Sequence, residues 1–248
     1  MRIRLLRHAT LIVELAGRRL LIDPMLGAPE SAPPVEGTAN ARRNPLVALP
    51  VPANRAVEGV DAALITHLHS DHLDPTAIDL LPPGLPLIGQ PEDEATLRGH
   101  GFTAVVPVAH GAEHDLDGIA ITATPGRHGT GEIGAAMAPV SGFVLRAPGE
   151  PVLYLAGDTI WCEEVASALD AHAPAVVVVN AGAAQFTTGD PITMTGADAL
   201  AVVEHAPEAT VIAVHMEAIN HCLEGRAAHA EATGGRVRIP ADGEWIER

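Results

Sequence analysis

The segment THLHSDHLD, residues 66–74, constrains the fold of this chain more than any other, because it places ligand-type side chains where a buried strand ends. The six residues before it, VDAALI, are apolar enough for such a strand. Alternate residues of an extended backbone point the same way, so His67 and His69 can hold one metal ion if the strand continues that far. Asp71 and His72 follow at a turn, where a second cation could be held. Four ligand-type side chains within six residues favour a metal site over a polar loop.

Three further ligand-type residues each follow a predicted strand later in the chain. His128 lies in TATPGRHG, Asp158 ends PVLYLAGD and His215 ends TVIAVH. A carboxylate at the end of an apolar strand needs a partner or a metal ion, because a buried unpaired charge is costly. With the strand that precedes His67, four predicted strands deliver His or Asp at their carboxyl ends, where α/β folds usually assemble their sites.

Composition and charge narrow the classes of partner. The 248 residues are 47% hydrophobic, which is enough for a substantial core. All fifteen basic residues are arginine, so a lysine base or a Schiff base is excluded. A formal net charge of −16 argues against nucleic acids and anionic membranes, both of which bind basic surfaces. We therefore expect a small-molecule substrate and neither a nucleic-acid nor a membrane partner, while the alanine-rich composition would tolerate a homo-oligomer.

The chain is expected to work in the cytoplasm. Its first residues carry Arg7, His8 and Glu14 within an apolar pattern, which predicts strands rather than a signal peptide. No apolar run reaches the roughly 18 residues that span a bilayer. The two cysteines, Cys162 and Cys222, lack the CxxC spacing, which fits a reducing compartment.

Strand signals dominate the N-terminal part and alternate with helix signals later, which predicts sheets covered by helices in one domain over residues 1–248. Between residues 27 and 59 the chain is rich in Pro, Ala and Gly and has no sustained period, so we expect a lid or binding loop there. The helices are predicted at about residues 91–98, 161–171, 195–205 and 224–233.

The motif and the later ligands together resemble those of the metallo-β-lactamase fold superfamily. The HxHxDH signature is matched from His67 to His72, and a histidine, an aspartate in a Gly-Asp pair and a late histidine follow in the superfamily's order. The resemblance implies an α+β fold, a four-layer αββα sandwich of two mixed β-sheets flanked by helices, with two divalent metal ions at one edge. It implies one ion held by His67, His69 and His128, a second held by Asp71, His72 and His215, and Asp158 bridging both.

The opening RHATLIVELAGRRLLIDP is similar to one branch of that superfamily, which includes ascorbate-6-phosphate lactonase-like and N-acylphosphatidylethanolamine phospholipase D-like enzymes. Nitrogen and carboxylate ligands suit zinc, manganese or iron, and zinc is the first expectation. Two metal ions about 3.5–4 Å apart can lower the pKa of a shared water towards about 7. We therefore predict a binuclear hydrolase whose metal-bound hydroxide attacks a small-molecule lactone, ester, amide or phosphodiester, with Asp71 and Asp158 as catalytic residues.

A non-hydrolytic protein on the same fold, an iron-dependent oxygenase or redox protein, is the alternative. The diiron redox branch typically has glutamate where this chain has His69, which counts against that version. An iron dioxygenase that binds its metal through fewer of these ligands remains an alternative. Iron content and oxygen uptake would distinguish it from the hydrolase. A nuclease of this fold is disfavoured by the charge of −16 and the absence of lysine.

Two N-terminal residues have weaker signals for a place near the site. Asp23, in LLIDP, follows a buried-type strand and either hydrogen-bonds a ligand histidine or caps the turn before Pro24. His8 has the same two interpretations, and the branch resemblance favours the site.

Three later residues are candidates for contacts with substrate. Arg127, beside the predicted ligand, could meet an anionic group or could be an exposed arginine. Trp161 follows the Gly-Asp pair and either lines the pocket or packs in the core. His221 competes with His215 as the late ligand, but His215 is preferred because it directly ends a strand, which leaves His221 as a pocket or turn residue.

Overall fold

Two β-sheets form the centre of the protein, which a computed structural model describes over residues 1–137 and 139–248. In chain order the strands are β1 (Arg2–Arg7), β2 (Thr10–Leu15), β3 (Arg18–Ile22), β4 (Ala62–Leu64), β5 (Leu87–Gly89), β6 (Val105–Pro107), β7 (Glu113–Leu116), β8 (Ile119–Pro125), β9 (Ser141–Arg146), β10 (Leu153–Leu155), β11 (Val176–Asn180), β12 (Thr210–Val214) and β13 (Trp245–Glu247). The first sheet has the spatial order β13-β1-β2-β3-β4-β5-β6, and the second has the order β12-β11-β10-β9-β8-β7. Both sheets contain parallel and antiparallel pairs.

Helices cover the outer faces of both sheets. They are α1 (Ala53–Ala56), α2 (Pro75–Leu80), α3 (Glu94–Gly99), α4 (Gly131–Met137), α5 (Glu163–His172), α6 (Gly196–His205) and α7 (Arg226–Thr233). Buried residues of α2 and α3 pack against the first sheet, and those of α5 and α6 pack against the second. The predicted four-layer αββα sandwich is therefore confirmed. Within the described residues, none of these helices has the length and apolarity needed to cross a membrane.

The strand β11 shows why the sheets pack in this way. Its sequence, VVVVN, is buried on both faces. Val176 and Val178 lie in the core between the sheets, whereas Val177 and Val179 pack under the helices, because successive side chains of a strand point to opposite faces. A strand covered on both sides needs a continuous apolar run rather than an alternating one.

The helix signals in the sequence located α5, α6 and α7 to within two residues. Thr195 caps α6 through a reciprocal capping box with Asp198, and Gly234 ends α7 in a left-handed conformation at φ +57°. Five short elements were not predicted. These are α1, α2, α4, β7 and β13. Each has seven residues or fewer, which is too few for a clear period, and β13 exists because it pairs with β1 at the opposite end of the chain.

The directions of the strands bring the carboxyl ends of four strands of the second sheet to the same edge of that sheet. β9 is antiparallel to both β8 and β10, while β10, β11 and β12 are parallel. The strands β8, β10, β11 and β12 therefore all point the same way. In the first sheet β3 and β4 are also parallel, so the segments that follow them leave the sheet together.

The predicted loop between residues 27 and 59 has little regular structure besides α1 and one bridge between Ala32 and Asn44. The fully buried Arg7 anchors it, donating from Nη2 to the carbonyl oxygens of Met25 (2.7 Å) and Gly27 (3.0 Å). Its Nη1 donates to the carbonyl oxygen of Val47 at 3.0 Å. Burial lowers the pKa of Arg7 to about 10, which leaves the guanidinium charged at neutral pH.

Candidate metal centre

The structure brings all seven predicted ligands together where the two sheets' strand ends meet. Their donor atoms form three groups, each with all its atoms within 4.8 Å of one another. The groups are His67, His69 and His128; His67, His72 and Asp158; and His8, Asp71, His72 and His215. Each ligand-bearing segment begins at the end of a strand, so the apolar runs of the sequence position the polar cluster.

The pair His67 and His69 is formed differently from the prediction. The strand β4 ends at Leu64, so the extended backbone that was expected to align the two side chains does not reach them. A turn follows the pair, in which the backbone N–H groups of His72 and Leu73 donate to the carbonyl oxygen of His69. The ring centroids of His67 and His69 lie 4.3 Å apart. The two rings thus lie together, although the strand whose continuation was the condition for the predicted alignment ends before them.

Two of the histidines are held by acceptors that determine where their proton lies. His72 Nδ1 donates to Asp23 Oδ2 at 2.8 Å, and His128 Nδ1 donates to the carbonyl oxygen of Ile192 at 2.8 Å. A carboxylate and a carbonyl can only accept, so each Nδ1 carries the hydrogen in the neutral ring and each Nε2 keeps a lone pair. This is the arrangement by which proteins orient metal-binding histidines. It also gives Asp23 the role at the site that the sequence left undecided.

Asp158 lies at the centre of the cluster. Its Oδ2 is 3.2 Å from His72 Nε2, 3.4 Å from His128 Nε2 and 4.0 Å from His67 Nε2, and its Oδ1 is 3.3 Å from His215 Nε2. All five residues are buried. Among the residues that the structure describes, the Nε2 atoms of His67, His72 and His215 have no hydrogen-bond partner. Buried lone pairs that converge on a carboxylate fit divalent metal ions of the kind that nitrogen and oxygen ligands bind.

The charge balance also favours a cation. Burial by itself would raise the pKa of Asp158, but His215 and His72 hold it well below its usual range. Burial would likewise raise the pKa of Asp71, and His72 and His8 lower it well below that range. Both carboxylates are therefore ionised. Against the effect of burial, Asp158 raises the pKa of His72 well above its usual range and that of His215 to about 10. Positive charge thus compensates the buried carboxylates, and a divalent cation bound by the neutral rings would supply it in place of these protons.

His8 joins the Asp71 side of the cluster. It lies in the turn between β1 and β2 with φ +60°, and its ring centroid is 3.6 Å from that of His215. Burial, with the nearby His215, lowers the pKa of His8 to about 3, so the ring is neutral. Its Nε2 lies 3.1 Å from Asp71 Oδ2, which can only accept, so Nε2 carries the hydrogen. His8 thus orients the Asp71 carboxylate.

Two residues at the site escaped the sequence analysis. Asn180 Nδ2 donates to Asp158 Oδ1 at 2.7 Å. Asn180 ends the apolar strand β11, so the signal that identified Asp158 and His215 could have found it. Cys222 Sγ lies 3.6 Å from His215 Nδ1, and no spacing in the sequence indicates this contact.

The candidates for substrate contact have different positions. Arg127 is half exposed, and its Nη2 donates to Glu164 Oε1 at 2.7 Å, so it faces the start of α5 rather than the cluster. Trp161 packs beside the second sheet, with its ring centroid 5.5 Å from that of His205. The structure therefore brings neither of them into the metal-ligand groups. His221 is buried near the site but joins none of the groups, whereas His215 does.

The comparisons with known proteins agree with this geometry. Residues 18–216 match the model of the beta-lactamase superfamily domain. The UPF0173 protein YddR of Bacillus subtilis is 36% identical over 98% of this chain and 98% of its own length. A UPF0173 metal-dependent hydrolase of Azorhizobium caulinodans is 29% identical over 100% of both chains. The crystal structure of isothiocyanate hydrolase from Delia radicum gut bacteria is similar with a TM-score of 0.94 and 36% identity, covering 100% of this chain and 99% of that one. The chain therefore belongs to the metallo-β-lactamase fold superfamily and, within it, to the UPF0173 family of metal-dependent hydrolases.

Proposed function

We propose that this protein is a binuclear hydrolase of small molecules. The observation that carries the proposal is the convergence of four buried histidine Nε2 atoms on Asp158, within 4.0 Å of its carboxylate oxygens. We assign one metal position to His67, His69 and His128, a second to Asp71, His72 and His215, and Asp158 to both. Divalent ions bound there would supply Lewis acidity, lowering the pKa of a water molecule and polarising the substrate.

The protein's own residues keep this site rigid. Asn180 holds one oxygen of Asp158, so the carboxylate cannot rotate away from the histidines. His8 holds Asp71 Oδ2 in the same way, which leaves Asp71 Oδ1 to accept a proton from the attacking water or to return it to the leaving group. Asp71 suits this role because it belongs to the cluster and also lines the adjoining cavity. Such preorganisation lets a site stabilise charge without rearranging during the reaction.

The relatives indicate which electrophiles to test. The chain is 36% identical to an isothiocyanate hydrolase over its whole length, so isothiocyanates join the lactones, esters, amides and phosphodiesters that the ligand set suggests. Hydrolysis of an isothiocyanate consumes one water and releases a primary amine and carbonyl sulfide. The amine can be measured directly, which makes this class a practical first substrate.

The test combines metal content with hydrolysis. Three proteins are reconstituted with zinc and analysed for metal per chain: the wild type, Asp158→Ala and His100→Ala. The last is the control, because His100 is an exposed histidine at the end of α3. We expect about two ions in the wild type and in the control, and fewer than one in Asp158→Ala. Hydrolysis should follow metal content across the three proteins.

Two results would contradict the proposal. One is retention of both ions by Asp158→Ala. The other is a fully loaded wild type that hydrolyses no member of the panel. A single iron per chain, together with oxygen uptake, would instead support the iron-dependent oxygenase.

A further inference from the structure

A cavity of about 440 Å³ adjoins the metal cluster. Its outer wall is formed by part of the loop that Arg7 anchors, including Pro33, Pro34 and Val35. Asp71 lines the cavity and also belongs to the cluster, with 14% of its side chain exposed. The volume lies within the range of about 300–1,000 Å³ that is typical of small-molecule pockets.

The wall of this cavity is apolar and stiff. Pro33, Pro34, Val35, Pro45 and Ile219 present hydrocarbon to it. Ile219 is buried in a small hydrophobic cluster against which Val35 packs. Proline fixes its own φ angle, so a wall with four prolines, which include Pro75, loses little conformational freedom when a ligand binds.

Two of the polar side chains that border the cavity, Asp74 and Asn44, are already engaged. Asp74 accepts hydrogen bonds from the backbone N–H groups of Gly27 (2.6 Å) and Ala77 (2.8 Å). Asn44 donates to the side chain of Asn220 at 2.8 Å and accepts from its backbone N–H at 2.9 Å. These two groups shape the wall, and besides Asp71 the other polar side chains on it are the uncharged hydroxyls of Ser31, Ser70 and Thr76.

The cavity wall away from the metal positions carries no basic side chain. Among the described residues no arginine lines it, and the chain contains no lysine. The nearby Arg7 is buried, and its Nη1 and Nη2 donate to three carbonyl oxygens of the loop and its base. A negatively charged side group that enters the cavity beyond Asp71 therefore meets no cation on its wall.

We propose that this cavity binds the uncharged, apolar side group of the substrate and places the reacting bond at Asp71. The inference rests on the proposed hydrolase function and narrows its substrates to neutral molecules with a compact alkyl or aryl group. Substrates whose side group carries a negative charge are excluded.

Binding of inert ligands tests the cavity without relying on turnover. Zinc-loaded protein labelled with ¹⁵N is titrated with N-methylurea, N-butylurea and 4-ureidobutyrate, which replaces the terminal methyl group of N-butylurea with a carboxylate. Each buried methylene strengthens binding about fourfold, so N-butylurea should bind at least about tenfold more tightly than N-methylurea. With the urea group of both ligands at the metal side, 4-ureidobutyrate should bind at least about tenfold more weakly than N-butylurea, because its carboxylate then loses hydration inside the cavity without gaining a cation there.

A matched pair of variants locates the binding. Val35→Phe fills the cavity and should remove the preference for butyl over methyl. Val47→Phe makes the same change in the same loop, at a residue that packs against the same cluster as Val35 but lies outside the cavity lining, and should keep the preference. Equal affinities for the two alkyl ureas, binding of 4-ureidobutyrate as tight as that of N-butylurea, or an unchanged preference in Val35→Phe would each overturn the proposal.

Hydrolysis of methyl and butyl isothiocyanate separates this inference from the proposed function. If the wild type hydrolyses both but kcat/KM is the same for both, the cavity assignment fails while the hydrolase function stands. If the wild type hydrolyses neither compound nor any other of the panel, the hydrolase function fails. The urea titration then still decides whether the cavity selects uncharged apolar groups.

Discussion

The change Asp23→Asn should weaken metal binding by changing the proton position on His72. Asp23 is 1% exposed, and its Oδ1 accepts from the backbone N–H of Thr66 at 2.8 Å. Its Oδ2 accepts from Thr66 Oγ1 and from His72 Nδ1, each at 2.8 Å. The backbone N–H can only donate, so the asparagine must keep its oxygen there and turn its NH₂ group towards His72. His72 Nδ1 then has to accept, which moves the ring proton to Nε2, the atom that faces Asp158.

The size of the effect follows from this tautomer change. Loss of an orienting partner typically weakens metal affinity about 10–100-fold, which corresponds to about 1.4–2.8 kcal/mol. The reverse amide orientation would set two donors against each other and cost about 1–3 kcal/mol of stability instead. Backbone strain is not a complication at φ +42°, because asparagine is well tolerated in that region.

The assay is a zinc titration against a chelating dye at fixed pH, with urea unfolding of the metal-free protein as a measure of stability. Asp74→Asn is the matched control. Asp74 is also a buried carboxylate that accepts two backbone hydrogen bonds, but it contacts no ligand histidine. We expect Asp74→Asn to lose stability while its zinc affinity stays within about threefold of the wild type. Wild-type zinc affinity in Asp23→Asn would refute the reasoning.

Three further predictions concern stability. Removing the metal with a chelator should lower the melting temperature in calorimetry, and zinc should restore it, because ions that bind only the folded state stabilise it; an unchanged melting temperature would contradict this. Gly157→Ala should destabilise the protein and lower its zinc content, because a Cβ there would lie 2.7 Å from the Ser141 carbonyl oxygen, next to Asp158. Gly149 also has a positive φ, but a Cβ there would meet nothing within 4 Å. Gly149→Ala should therefore lose less stability in urea unfolding than Gly157→Ala and keep its zinc; equal losses of stability in the two variants would count against the contact with Ser141. Burial raises the pKa of Asp93 to about 6, so its protonated form stabilises the fold below about pH 4 and that contribution is lost as the pH rises through 6. In urea unfolding, Asp93→Asn should therefore be more stable than the wild type at pH 8 and similar to it at pH 4. An equal difference in the free energy of unfolding between variant and wild type at both pH values would contradict this.

Much of the candidate site could be predicted because its residues carry a local signal. Each ligand stands where an apolar run stops, and the end of a buried strand is recognisable from its own neighbours in the chain. Asp158 after β10 and His215 after β12 were found in this way, and Asn180 at the end of β11 could have been. The metal position of each ligand, by contrast, came from a family resemblance and not from spacing.

The partners of these residues depend on the tertiary structure. Asp23 and His72 are 49 residues apart, and Asn180 and Asp158 are 22 apart. No local pattern records such contacts, so Asp23 had two equally good interpretations until the parallel strands β3 and β4 brought the segments after them together. The same holds for Arg127, whose side chain faces Glu164 because α5 lies beside it.

The sequence by itself predicted sheets covered by helices, the buried strands and the candidate ligand residues, because hydrophobic periodicity and strand ends are properties of neighbouring residues. The four-layer arrangement was predicted from the family resemblance. Only the tertiary structure decided which nitrogen of each histidine faces Asp158, how Arg7 anchors its loop and where the cavity beside Asp71 lies. These features arise where segments distant in the chain meet. Their geometry depends on how the two sheets pack, which is encoded by the whole chain and not by any one segment.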